Sequence, residues 1–193
     1  MLTIPPGLAG RDVCGKAPTG SGKTIAFGVI LAERLREDAQ GRPSGLVLVP
    51  TRELAQQVQR EIHMLDVDRK FFTTSVFGGA GYGPQLQRLR RAAIVVATPG
   101  RLEDLLQRRD IDLREVRVCV LDEADRMADM GFLPSVKRIL DRLPRKRQVL
   151  LFSATLDGAV GSIVQNYLSD PLHLATSGVE AEPDIRSEEH TSE

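Results

Sequence analysis

Six short runs rich in branched and apolar residues, each followed by a stretch of helical period, limit what this chain can become. The runs are Val13-Cys14-Gly15, Leu46–Val49, Thr73–Phe77, Ile94–Ala97, Val118–Leu121 and Val149–Phe152. Each is continuous rather than alternating, as expected of strands covered on both faces. Helical period occupies residues 22–38, 51–65, 84–91, 99–108, 123–142 and 156–168. Within one of these segments Leu102, Leu105 and Leu106 recur on a single helix face. Strand and helix in regular alternation predict an α/β fold, a doubly wound, mostly parallel sheet with helices on both faces.

The 193 residues suit one domain with a tail, placed at 1–178 and 179–193. A chain of this length buries enough surface to need no metal or disulfide staple. No window reaches the length of uninterrupted apolar sequence that a membrane-spanning helix requires. The first residues lack a basic stretch leading into an apolar one, which argues against a signal peptide. Cys14 and Cys119 lie in apolar runs and are expected as reduced, buried thiols. His63, His173 and His190 lack metal-ligand spacing. A soluble, cytoplasmic protein is the expectation.

The net charge of zero hides an asymmetry. Residues 179–193 hold six acids and one base, so the preceding 178 residues carry 25 bases against 20 acids. That body is mildly basic and compatible with a polyanionic partner. Eight aromatics and no tryptophan make a base-stacking platform a poor fit, so a bound nucleic acid is expected to be held by its backbone. Arg126, Lys137, Arg138, Arg145, Lys146 and Arg147 read as a solvated face.

The stretch Ala17-Pro18-Thr19-Gly20-Ser21-Gly22-Lys23-Thr24 follows a strand and opens a helix, the context of a phosphate-binding loop. Small residues let successive N–H groups converge on phosphate oxygens, and the helix N-terminus adds partial positive charge. Lys23 is expected on the β- and γ-phosphates of a bound nucleotide and the Thr24 hydroxyl on Mg²⁺. Ala17 stands where the general pattern has glycine, which requires that this position not need positive φ. Val118–Leu121 runs into Asp122-Glu123-Ala124-Asp125, which puts two carboxylates at the ligand-binding edge of such a sheet. Asp122 is expected to hold Mg²⁺, partly through water, and Glu123 to orient and deprotonate a water molecule. Lys23, Asp122 and Glu123 are thus the candidate catalytic residues.

Asp122–Asp125 spells the motif of the DEAD-box RNA helicases, and the rest of the chain resembles that family in order. Ala17–Thr24 is similar to motif I, Pro50-Thr51-Arg52-Glu53-Leu54-Ala55 to motif Ia and Phe77-Gly78-Gly79 to the GG element. Thr98-Pro99-Gly100-Arg101 resembles motif Ib and Ser153-Ala154-Thr155 motif III. The resemblance runs from residue 2 to 175 and has a bacterial flavour. It implies the first of two RecA-like P-loop NTPase domains, with ATP and Mg²⁺ bound and the RNA sugar-phosphate backbone gripped without sequence specificity. It implies RNA contacts at Pro50, Thr51, Arg52, Glu53, Gly79, Thr98, Pro99, Gly100 and Arg101. Asp125, Ser153 and Thr155 would couple the ATP site to strand separation.

Read from the residues alone, Thr51 and Thr98 are helix caps, and Pro99 suits a first helical position. Glu53 either joins the RNA site or ties Arg101 into a structural pair. The family's adenine-reading glutamine would fall before Met1, and the second RecA-like domain after residue 193, leaving this segment nearly inactive alone. Residues 186–193 read as sequencing-adapter read-through or as an ordinary acidic tail. Two rivals stand beside the helicase: an RNA-binding scaffold without catalysis, and a DNA motor or nucleotide switch.

Overall fold

The computed structural model describes residues 2–17, 21–35, 42–67 and 71–175. The acidic tail therefore lies outside the described residues. In chain order the elements are α1 (Ile4–Leu8), β1 (Val13–Lys16), α2 (Lys23–Arg34), β2 (Gly45–Leu48), α3 (Arg52–Leu65), β3 (Thr73–Val76), α4 (Tyr82–Leu89) and β4 (Ile94–Ala97). There follow α5 (Pro99–Gln107), β5 (Val118–Leu121), α6 (Ala124–Asp129), α7 (Leu133–Leu140), β6 (Gln148–Ser153), α8 (Gly158–Tyr167) and β7 (Leu172–Ala175). The strands form a seven-stranded sheet ordered β3-β4-β2-β5-β6-β1-β7, every pair parallel.

Period two along the strands builds two cores. Val47, Val49, Val118, Val120 and Leu150 meet Phe27, Ile30, Val58 and Ile62 of α2 and α3 on one face. Leu46, Leu48, Cys119, Leu121 and Leu151 meet Leu102 and Leu105 of α5, Val136 and Ile139 of α7 and Ile163 of α8 on the other. Both cysteines are free and buried. They sit on strands separated by β6, and burial pushes the Cys14 thiol up to about 11 and Cys119 to about 12. No helix among the described residues is long and apolar enough to cross a membrane.

Three elements depart from the sequence reading. The single helix expected over 123–142 is two, because Gly131 turns left-handed (φ 78°) after α6 and Pro134 stands in the first turn of α7. Pro5 and Pro6 open α1, where a missing N–H costs nothing because first-turn N–H groups have no partner in the helix. The other end of α1 is held by Gln148 Nε2 donating to Gly7 O (2.8 Å) and Arg34 Nη1 donating to Leu8 O (3.0 Å). β7 is a half-exposed edge strand, anchored by buried Asp12, whose carboxylate accepts from the N–H groups of Val149 (2.8 Å) and Ser169 (2.7 Å).

Candidate functional site

Strand order brings the chemistry together. β5, β6 and β1 lie side by side, so the turns after them share one stretch of the carboxyl edge. Ala17, just past β1, is buried and its N–H donates to Ser153 O at the end of β6 (3.1 Å). Ala17 is not among the positive-φ residues, as its replacement of glycine requires. Pro18, Thr19 and Gly20 lie outside the described residues; Ser21 is exposed. Gly22 caps α2 with φ 80° and open space around its Cβ position, so the demand for glycine there is conformational. Lys23 and Thr24 then open α2.

Asp122, 2% exposed, leaves β5 with its N–H donating to Leu48 O (2.9 Å). Lys23 Nζ lies 3.1 Å from Asp122 Oδ1, both side chains less than a tenth exposed. Burial raises the Asp122 carboxyl above the ordinary aspartate range, and the Lys23 charge pulls it partly back. Oδ1 is buried, and the ammonium meets it as an ion pair without a directed hydrogen bond. A buried carboxylate that lines the same cleft as Thr24, in the first turn of α2, suits a hard cation. Among the described residues no three acids, histidines or cysteines converge to cage a metal.

Glu123 follows in the left-handed region (φ 54°, ψ 52°), a conformation that costs a non-glycine residue about 1 kcal/mol and concentrates at functional positions. Arg126 Nη1 stands 3.5 Å from its Oε2. Ser153 is fully buried, and its Oγ accepts from the Asp125 main-chain N–H (3.1 Å), so the tie between them runs through the backbone and not through the Asp125 carboxylate. Thr155 is exposed. Lys23, Thr24, Asp122 and Glu123 line a cleft of about 420 Å³ whose opposite wall is Leu54, Gln57 and Met64 of α3. Thr3, Gly15, Phe152 and Leu174 border a second hollow of about 170 Å³, which Lys23 also lines.

The adjacent strands β3, β4 and β2 gather the second set of candidates on the same edge. Pro50 is buried, and Thr51 caps α3 by accepting from the Leu54 N–H (3.2 Å). Arg52 is half exposed, its guanidinium 5.7 Å from the Phe77 ring centroid and its Nη1 3.7 Å from where a Cβ on Gly79 would stand. Gly79 itself has φ 78°. Thr98 stands at the start of α5, but its hydroxyl makes no capping bond and its N–H goes to Val76 O (3.0 Å). Pro99 is buried in the first turn, and Gly100 is exposed with open space at its Cβ position.

Arg101 faces the interior of the fold. Its side chain turns inward, 7% exposed, with Nη1 donating to Gln85 Oε1 (3.0 Å) and Nη2 to Ala80 O (3.0 Å). Glu53 does not pair with it; Glu53 is exposed and lies 3.8 Å from the Arg52 Nε. The partners that do hold Arg101, Gln85 and Tyr82, were absent from the sequence reading. One signal was available: Gln85 occupies the apolar stripe of Tyr82, Leu86 and Leu89 on α4, a place where a polar side chain must find buried partners.

Comparison with known proteins gives the family. The family model for the DEAD/DEAH box helicase matches residues 1–163. The chain is 44% identical over 180 residues to DEAD-box ATP-dependent RNA helicase 14 of Arabidopsis thaliana, covering 91% of this chain and 29% of that protein. It is 40% identical over 179 residues to the helicase CshA of Bacillus subtilis, covering 92% of this chain and 36% of that one. The crystal structure of a DEAD box protein from Methanococcus jannaschii superimposes with a TM-score of 0.87 at 36% identity, over 91% of this chain and 48% of that chain. The chain thus spans about a third of the length of the two curated helicases and about half of the crystallised protein. With a parallel sheet that superimposes on a DEAD box protein and a matching family model over most of its length, the chain is a RecA-like domain and belongs to the DEAD/DEAH box helicase family.

Proposed function

We propose that this chain is the first RecA-like domain of a cytoplasmic, ATP-dependent RNA helicase, binding Mg²⁺-ATP on one half of its sheet edge and the RNA backbone on the other. The observation that carries the ATP reading is the 3.1 Å approach of Lys23 to Asp122, with Thr24 and Glu123 on the same cleft. Lys23, freed from Asp122, holds the β- and γ-phosphates while the main chain of the loop from Ala17 to Thr24 surrounds them. Thr24 and Asp122 would hold Mg²⁺, which when bound neutralises charge developing on the transferred phosphoryl group. Glu123 aligns the attacking water and takes its proton; the oxygen bonds to the γ-phosphorus as the bond to the β–γ bridging oxygen breaks, leaving ADP and phosphate. The Ser153 Oγ bond to the Asp125 N–H ties these acids to β6 and is the coupling element.

On the RNA half, the main chain at Gly79, the exposed start of α5 and Arg52 face the ligand. These groups read phosphates, not base edges, so binding is without sequence preference. A second RecA-like domain in cis would complete the site. Arginine fingers of the kind such a domain supplies are worth about 10³–10⁵ in rate, roughly 4–7 kcal/mol of barrier, so this domain alone hydrolyses ATP very slowly and does not unwind a duplex.

The test is Lys23→Ala in the two-domain protein. Loss of one preorganised phosphate contact is expected to cut RNA-stimulated ATP hydrolysis by about 10²–10³. RNA binding without nucleotide is read alongside and is expected to persist. Undiminished phosphate release in the mutant overturns the site assignment.

A further inference from the structure

Gln85, 6% exposed, is one of the few buried polar side chains of the described residues that stand on a helix. Its carboxamide meets the main chain of Phe77 from both sides: Nε2 donates to Phe77 O (3.1 Å) and Oε1 accepts from Phe77 N (3.4 Å). The same Oε1 accepts from Arg101 Nη1, and Arg101 Nη2 reaches on to Ala80 O. The guanidinium lies 4.2 Å over the Tyr82 ring, whose hydroxyl donates to Asp104 Oδ2 (3.2 Å) on α5. The turn Phe77-Gly78-Gly79-Ala80 is therefore fastened at its first residue by Gln85 and at its last by Arg101, and both fasteners are bonded to each other.

What lies between the fasteners is bare main chain. Gly78 has nothing within 4 Å of its Cβ position, and Gly79 holds φ 78° with Arg52 alongside. Two glycines in succession would otherwise wander, since glycine loses the most conformational freedom on ordering. A surface without side chains admits the close approach of a sugar-phosphate chain only if its N–H groups already point outward.

We propose that Gln85, acting through Arg101, is a positioning residue for RNA: it clamps the Gly78–Gly79 turn against the start of α5 so that main-chain donors, Arg52 and the α5 N-terminus present one preformed surface to the RNA backbone. The proposal rests on the RNA-backbone reading given above. Gln85 itself touches no RNA. Arg101, which the sequence assigned to the phosphates, acts as the link between the turn and α5.

The experiment uses the full-length protein with a short oligouridylate and two variants. Gln85→Leu keeps the volume but strips the bonds to Phe77 and Arg101. Gln85→Glu keeps the acceptor for Arg101 and loses the donor to Phe77 O. The leucine variant is expected to raise the RNA concentration giving half-maximal ATPase stimulation about tenfold, without a matching rise in KM for ATP. Amide hydrogen exchange at Gly78–Ala80 is expected to speed in the same variant, with the glutamate variant between it and wild type on both measures. Should the leucine variant not fold, the glutamate variant carries the same comparison. Faster exchange with the half-saturating RNA concentration unmoved overturns the clamp. So does a parallel loss of RNA and ATP affinity, which marks general destabilisation. A wild-type ATPase that ignores RNA refutes the RNA-backbone reading instead, and is recognised because the exchange difference between variants survives it.

Discussion

Asp122 is held in the fold against its own solvation. The run Val118–Leu121 carries it into the sheet edge at 2% exposure, and burial raises its carboxyl pKa more than Lys23 lowers it. An acid raised in this way binds its proton more tightly in the folded state. Stability therefore falls as pH rises from the unfolded-state aspartate range, near 4, up through the raised folded value. Asp122→Asn removes that dependence. Relative to wild type, the asparagine variant is expected to gain stability between about pH 4 and pH 7. Urea midpoints of the two proteins at both pH values measure this, whatever fixed offset the loss of the Lys23 ion pair introduces. A gap that stays constant across that range would show a carboxyl with no upward shift. The candidate acids Asp122 and Glu123 were legible in the sequence because they follow directly on the end of β5, and Lys23 because it opens α2 after the glycine-rich turn that follows β1. Arg101 was not, because its partner Gln85 comes from another helix, and nothing in Thr98-Pro99-Gly100-Arg101 says which way the guanidinium turns.

The break between α6 and α7 is the element that the sequence disguised. Met127, Met130, Leu133, Val136 and Ile139 recur every three residues across it, so residues 123–142 read as one helix. Gly131 (φ 78°) redirects the chain, and its Cβ position has nothing within 4 Å, so a substitution there meets strain without a clash. Gly131→Ala is expected to cost about 1–2 kcal/mol, and Gly131→Asn less, since asparagine visits the left-handed region more readily. Urea denaturation of both variants is the measurement, with the midpoint falling and the slope m unchanged. Equal, negligible losses in both would mean the chain reaches the same packing without a left-handed residue. The strands were easier, because burial on both faces makes them near-continuous apolar runs. β7 escaped since it is half exposed at the sheet edge, and α1 because two prolines in five residues argue against a helix unless they fall in its first turn.

Over the whole molecule, the order β3-β4-β2-β5-β6-β1-β7 divides one carboxyl edge into two halves, with the nucleotide candidates after β5, β6 and β1 and the RNA candidates after β3, β4 and β2. The halves differ in how they are charged. The nucleotide half concentrates Lys23, Asp122 and Glu123, while the RNA half offers mostly neutral main-chain donors. With Arg101 turned inward, Arg52 is the one candidate contact there that carries an exposed positive charge, and Glu53 stands 3.8 Å from it. Counterion release scales with the phosphates neutralised by full charges, at about −0.7 per charge for a single strand. The affinity of this chain for single-stranded RNA is therefore expected to fall with salt at a log–log slope of about −1. Fluorescence anisotropy of a labelled oligouridylate across a salt series measures it. A slope of about −3 or steeper would move the binding surface to a basic face such as the one bearing Arg145 and Lys146, since several full charges must then be leaving their counterions. A shallow slope with measurable binding requires the main-chain N–H groups of the Gly78–Gly79 turn and the α5 N-terminus to supply the grip.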